Sequence, residues 1–412
     1  MAINKSEKIF CKFCKQILSD DHEKDLQYHV VCEQQVQEFN VRKLQALEKI
    51  KYAFGIDSLE TENEAFPEHG ICKYKFINQG ENFEVFFRNY ALKSVSTTID
   101  SLSHLEKLSI RYSPDDYYDR ATVPHQLSSL ADQFCILSNL RHLDLTECKL
   151  KKLPDCFGDL INLETVTLNK NLLNDLPRSF KNLQNLLTLD LSSNELVNVS
   201  NDIFELKNLC NLNLKGNNIT SVPDSFGNLD NLSTLDLGSN ELTSLPITTW
   251  DLKNLRNLFL DQNNLKFLPK AIGNLTKLQV LNLDGNNKLQ LLPKSIVKLI
   301  SLQKIFLGGT SIVDFPKTMS ALVNLNTIGL SYKQTVGFST FAKDLPNLKK
   351  VIIYPIAYRN FGWDRWLHKY HYPPFEKLSK LPTESVQKCF EELRNNGCKI
   401  HMLSDKYETN SW

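Results

Sequence analysis

The sequence predicts an α/β fold of solenoid type with parallel strands on a concave face, and three observations carry that expectation. Leucines recur almost on a ruler at Leu140, Leu163, Leu186, Leu209, Leu232, Leu255, Leu278, Leu302, Leu325 and Leu348. The steps are 23 residues, apart from one of 24 after Leu278. Asparagines share a second column (Asn171, Asn194, Asn217, Asn240, Asn263, Asn286), and prolines share a third, at Pro154, Pro177, Pro223, Pro246, Pro269, Pro293 and Pro316. A fixed period across independent columns means that no unit buries its apolar face alone, so the units must stack.

One unit runs from Asn231 to Lys253, NLSTLDLGSNELTSLPITTWDLK. Its first half alternates apolar and polar side chains, which makes a short strand with Leu235 and Leu237 facing inward. At Leu245-Pro246 the proline fixes φ and ends the strand direction, and a half-turn returns Leu252 to the core. An inward asparagine supplies two donors and an acceptor to backbone that would otherwise be buried unsatisfied. Phe157, Phe180, Ile203, Phe226, Ile272, Ile296 and Met319 form a further apolar column.

The pattern Leu232-x-x-Leu235-x-Leu237-x-x-Asn240-x-Leu242 resembles the leucine-rich repeat family, in the 23-residue Leu-Pro variety found in intracellular scaffolds. The resemblance spans residues 81–357, roughly twelve units. It implies a horseshoe with parallel concave strands and short helical or irregular turns outside. The departures are local. Tyr90 and Ser113 hold the asparagine position in the first two units, and about 12 extra residues fall between His104 and Asn139, with Ser113–Arg120 as the loop. An extra residue near Asn287 makes a bulge, and past Thr310 the asparagine column is lost, with Lys333 and Ile356 in its place.

Four parts follow: residues 1–56 as a zinc-finger-like module with a following helix, 57–80 as linker and capping hairpin, 81–357 as repeats, and 358–412 as an aromatic-rich C-terminal cap. Ile71–Phe76 and Phe83–Phe87 alternate on either side of an Asn/Gly-rich turn, which predicts a hairpin over the open N-terminal end of the core. Tyr358, Phe361, Trp363, Trp366, Tyr370, Tyr372 and Phe375 are either a plug over the other end or a binding patch. Thr383 is placed to cap a helix with Val386, Phe390 and Leu393 on its apolar face, Gly397 ends it, and Lys399–Leu403 reads as a last strand.

The strongest local chemistry is Cys11-Lys-Phe-Cys14 with His29-Val-Val-Cys32. A Cys-x-x-Cys turn aims two thiolates at one ion, and residues three apart on a helix share a face, so Cys11, Cys14, His29 and Cys32 can close a tetrahedron around one structural zinc ion. His22 is a rival for the third position. The module is similar to small Cys-Cys-His-Cys fingers, some of which bind ubiquitin and others nucleic acid.

The chain of 412 residues carries 48 Lys and Arg against 47 Asp and Glu, so no global field draws it to nucleic acid or a membrane. No run approaches the ~20 apolar residues of a membrane span, and MAINKSEKIF lacks a signal-peptide core. Ten cysteines are too few for a disulfide scaffold, and several sit at apolar repeat positions, which points to a reducing cytoplasm. Gly-rich phosphate loops, His-Glu-x-x-His and Gly-x-Ser-x-Gly are missing, so the expectation is not an enzyme. His368 and His371 near Asp364 read as packing.

Outward residues on the strands mark where a partner would sit. Phe259, Phe306, Tyr332 and Tyr354, with Asp261 and Asp284 nearby, form a row of aromatics ringed by polar groups, the usual anchors of a protein interface. The competing reading is that the C-terminal cap folds over them, and the Tyr117-Tyr118 loop is a second candidate. The function expected is a protein–protein interaction scaffold with a zinc module. A ubiquitin-pathway component is the alternative; nucleic-acid binding is disfavoured by charge, and no small-molecule substrate or membrane partner is expected.

Overall fold

The computed structural model describes residues 102–111, 127–354 and 383–402, together with the backbone of strands at 60–61, 71–77 and 82–88. Cys11, Cys14, His22, His29 and Cys32, the Ser113–Arg120 insertion and the Tyr358–Phe375 aromatic run lie outside the described residues. Fifteen strands form one sheet in sequence order. They are β1 (Glu60–Thr61), β2 (Ile71–Ile77), β3 (Asn82–Arg88), β4 (Lys107–Arg111), β5 (His142–Asp144), β6 (Thr165–Thr167), β7 (Thr188–Asp190), β8 (Asn211–Asn213), β9 (Thr234–Asp236), β10 (Asn257–Phe259), β11 (Val280–Asn282), β12 (Lys304–Phe306), β13 (Thr327–Ser331), β14 (Lys350–Tyr354) and β15 (Lys399–Met402). All neighbours pair in parallel except β2 and β3, the expected hairpin, which pair antiparallel with Ile71 opposite Arg88 and Ile77 opposite Asn82.

Each central strand is only three residues long because period-two alternation lasts no longer. In β7, Leu189 is buried between half-buried Thr188 and Asp190. Register advances by one repeat per strand, so Leu189 pairs with Leu212 and Leu212 with Leu235. The inward leucines thereby stack into one continuous core from Leu102 to Ile400. Each buried leucine contributes roughly 2 kcal/mol. Hydrogen-bonded strands sit about 4.8 Å apart, less than the bulkier turns behind them need, so the strand face is the concave one.

On the convex side, each repeat carries a five-residue 3-10 helix, from Asp132–Ile136 to Lys317–Ala321. Proline is the residue before the helix in most repeats, with extended backbone, and its carbonyl accepts the first i+3 bond, as from Phe157 N to Pro154 O at 3.0 Å. Where proline gives way to Ser200, its hydroxyl accepts from Asp202 N. The apolar column then packs repeat on repeat, Phe157 stacking on Phe180 with centroids 5.6 Å apart. In the unit without a large residue in that column, Thr249 occupies the site and Trp250 beside it fills the space, both buried.

The asparagine column behaves as its chemistry dictates. The Asn171 amide donates to Leu145 O at 2.7 Å and Leu168 O at 2.9 Å, and its oxygen accepts from Cys148 N and Leu150 N, both at 3.0 Å. The column does not stop at Thr310. Gln334, one residue past the expected position and fully buried, donates to Leu307 O at 3.0 Å and to Thr310 Oγ1 at 2.8 Å. Its oxygen accepts from Ser331 N. The extra methylene lets glutamine reach from the next residue along, so a column read by residue type alone misses it. The extra residue near Asn287 is absorbed by a turn, with Asn287 N donating to Gly285 O.

A second ladder, invisible to the apolar pattern, runs along the exposed edge. Asn139, Asn162, Asn185, Asn208, Asn231 and Asn254 each donate through the side-chain amide to a carbonyl in the preceding repeat, at 2.8–3.0 Å.

The C-terminal end is closed by a helix and a strand. Residues Thr335–Ser339 form a short helix α1, and Glu384–Asn395 form α2. Thr383 caps α2 by accepting from Val386 N at 3.3 Å, while Val386, Cys389, Phe390 and Leu393 turn inward. Phe390 meets Phe338 edge-on at 6.0 Å, and Gly397, at φ +85°, turns the chain into β15. β15 then extends the sheet beside β14.

One covalent link crosses the convex side. Cys135 and Cys156, in consecutive 3-10 helices, form a disulfide with Cα atoms 5.9 Å apart, a bond that a reducing cytoplasm does not favour. Sequence separation hid the pairing because stacking, not sequence, makes residues 21 apart neighbours.

Candidate functional site

The concave face carries two rows of outward side chains per strand. From Asp144 through Thr167, Asp190, Asn213 and Asp236 to Phe259 one row is half-buried, as expected of a surface open on one side. From Asn282 onward the same row is buried, at Phe306, Gly329 and Ile352.

Tyr354 accounts for part of this. Its ring crosses the sheet over Gly308 and Gly329. A Cβ on Gly308 would lie 2.2 Å from Tyr354 Cδ2, and one on Gly329 would lie 2.9 Å from the hydroxyl. Gly329 in this row and Gly308 in the row beside it leave open the slot that the tyrosine fills. Phe306, Ile352 and Tyr354 form a satellite apolar cluster, with Val280 at its edge.

Beyond the ring lies a buried acidic pair. Asn282 bridges it, donating to Asp261 Oδ1 at 2.9 Å and accepting from Asp284 N at 3.1 Å. Asp261 and Asp284 are each 1% exposed. Burial, reinforced by the neighbouring Asp261 carboxylate, raises the Asp284 carboxyl well above its ordinary value, against the smaller opposing pull of the Gly308 amide and the Tyr354 hydroxyl. Both Asp284 oxygens lie outside good hydrogen-bond geometry, so burial outweighs hydrogen bonding in setting the direction of the shift.

These positions correct the expected anchor row. Phe306, Tyr354, Asp261 and Asp284 come together as foreseen but are buried, so they are not exposed anchors. Tyr332 is half-buried against the main core. Phe259 alone keeps a half-open place on the concave face. Outward alternation identifies the side of the sheet on which a residue lies, but not what lies across it. Gly308 and Gly329 were the available signal. Among the described residues no group of three or more His, Cys, Asp or Glu is arranged to hold a metal ion.

Strand, asparagine turn and 3-10 helix, repeated along one parallel sheet, define a solenoid repeat protein. Residues 138–265 match the leucine-rich repeat profile in four overlapping registers, and residues 248–404 match a leucine-rich repeat region. The chain is a leucine-rich repeat protein. A leucine-rich repeat protein of Leptospira interrogans is 27% identical over 64% of this chain and 76% of its own, with a TM-score of 0.53. The leucine-rich repeat domain of the type III effector XopL is 32% identical over 50% of this chain and 73% of its own, with a TM-score of 0.45. The functional domain of InlJ from Listeria monocytogenes is 18% identical over 66% and 59% of the two chains, at 0.49. No curated protein matches the chain.

Proposed function

We propose that the protein is an interaction scaffold that takes a protein partner on the concave surface of its N-terminal and central repeats. The observation that carries this reading is the contrast along the row: Asp144 to Phe259 is polar, half-open and ends in an aromatic, whereas the C-terminal half is already filled. Phe259 is the anchor retained from the expected set. Leucine-rich repeat domains commonly mediate such contacts, and the repeat offers a long surface rather than a pocket. Cross-linking mass spectrometry with the full chain as bait tests it. Cross-links should map to β6–β10, and the pair Thr167→Arg and Phe259→Ala should lose them with unchanged thermal unfolding. Cross-links elsewhere, or binding that survives the pair, sink the reading.

The N-terminal module adds a structural zinc ion held by Cys11, Cys14, His29 and Cys32, a reading supported by ligand type and spacing. Purified full-length protein should carry one zinc per chain, lost in Cys11→Ser with Cys14→Ser; metal-free wild-type protein overturns it. The cytoplasm is supported by the scarcity of cysteines, while the Cys135–Cys156 disulfide weighs toward an oxidising compartment.

A further inference from the structure

Near-neutral net charge conceals an uneven distribution. Residues 131–250 hold 9 basic side chains against 15 acidic ones, while residues 263–317 hold 8 lysines against 2 aspartates. One of those two, Asp284, is buried.

The lysines gather on one edge. In four consecutive repeats the loop after the strand leads into a 3-10 helix whose first residue is Ile247, Lys270, Lys294 or Lys317, all exposed. Lys266 and Lys288 lie exposed on the same loops. In the five earlier repeats the same position holds Asp132, Asp155, Arg178, Asn201 and Asp224, so the row changes from mainly acidic to basic along the array.

Large apolar side chains stand among the lysines. Phe267 is 59% exposed and Leu291 is 65% exposed, each two residues before the helix-starting proline of adjacent repeats. Ile247 at 62% and Val313 at 49% flank them. The repeat does not require this: the same row holds Lys152, Asp175, Asn198, Ser221 and Ser244 in earlier units. Hydrophobic side chains left this open mark a contact surface.

We infer that this edge, from Ile247 to Lys317, docks on an anionic lipid surface. Phe267 and Leu291 enter the boundary between headgroups and acyl chains, and the five lysines lie over the anionic headgroups. The chemistry favours lipid over a protein. Protein interfaces are depleted in lysine and enriched in arginine, and residues 263–317 carry eight lysines and no arginine. Its apolar groups lie along one edge of four consecutive repeats, with Asp314 the one exposed acidic residue of 263–317. Anionic membranes attract each nearby lysine, and a few inserted apolar side chains add to the hold. No described helix is long and apolar enough to cross a membrane, so the contact is peripheral.

Sedimentation of the full chain with vesicles tests this. Vesicles of phosphatidylcholine with about a third phosphatidylserine should bring the protein down, and pure phosphatidylcholine should bind it at least tenfold more weakly. High salt should release it, since exposed charges are screened within about 8 Å at physiological salt. Lys270→Glu, Lys294→Glu and Lys317→Glu together should reduce binding more than tenfold. Phe267→Ser with Leu291→Ser should weaken it severalfold, with circular dichroism unchanged in both sets. No binding to the serine-lipid vesicles overturns the inference, as does binding that both sets leave intact. Binding to soluble poly-glutamate but not to vesicles also overturns it and points to an acidic protein instead.

Discussion

The ring of Tyr354 occupies the place of the side chain that Gly308 lacks, two strands away on the concave face. One strand closes a slot that another leaves open, and the pair converts the C-terminal part of a binding-type surface into packed structure.

Gly308→Ala should therefore be costly. The added methyl meets ring carbon, and a packed aromatic cannot yield without leaving the slot. The expected loss is about 1–3 kcal/mol, read as a lower urea midpoint. Tyr354→Ala in the same background should relieve the clash, so the two losses should be clearly less than additive.

Asp284 should make stability fall as pH rises. Its folded-state carboxyl titrates above the unfolded one, so folding is favoured by the bound proton below the ordinary carboxylate range. That contribution is lost as pH rises toward the folded value. Asp284→Asn keeps the shape without the charge. The variant's unfolding midpoint should gain on wild type as pH rises above about 4, the ordinary carboxylate value; a gap independent of pH would refute the assignment.

The two ladder types should be equally indispensable. Asn217→Ala strands Leu196 N and leaves Leu191 O and Leu214 O with the Asn194 and Asn240 amides alone, and Gln334→Ala strands Ser331 N and leaves Leu307 O to Thr310. Each should cost about 1–3 kcal/mol, chiefly from the one buried N–H left without a partner. Hydrogen exchange should show the loss in the repeats on either side of the substitution.

Thr249→Val should stabilise. The Thr249 hydroxyl is buried with no hydrogen-bond partner, and valine fills the same volume without a stranded polar group. A gain of about 1 kcal/mol is expected, measured by urea unfolding.

The buried thiols should be inert. Burial raises the thiol of Cys148, reinforced by Asp144 and Glu147, and pushes Cys398 up to about 11. Alkylation of native protein at pH 8 should spare both, and Cys135 with Cys156 should stay unlabelled until a reductant is added.

Much of the fold was legible in the columns. Leucine, asparagine and proline positions specify strand, turn and return, and Thr383, Phe390 and Gly397 mark the cap, inner face and end of the terminal helix. What escaped were pairings made by stacking. Gln334 in an asparagine's role, the Cys135–Cys156 bond and the edge asparagines all depend on which atoms meet across repeats. The anchor row failed for the same reason: alternation placed Phe306 and Tyr354 on the concave side, but the slot at Gly308 and Gly329 decided that they are buried there.

Sequence by itself determined the period, the inward columns and hence a parallel solenoid, because a 23-residue recurrence of apolar residues can be buried only by stacking like on like. Tertiary structure decided which parts of that surface stay open. Exposure depends on side chains arriving from strands two repeats away, as Tyr354 does over Gly308 beside Asp284, and no local spacing records their arrival.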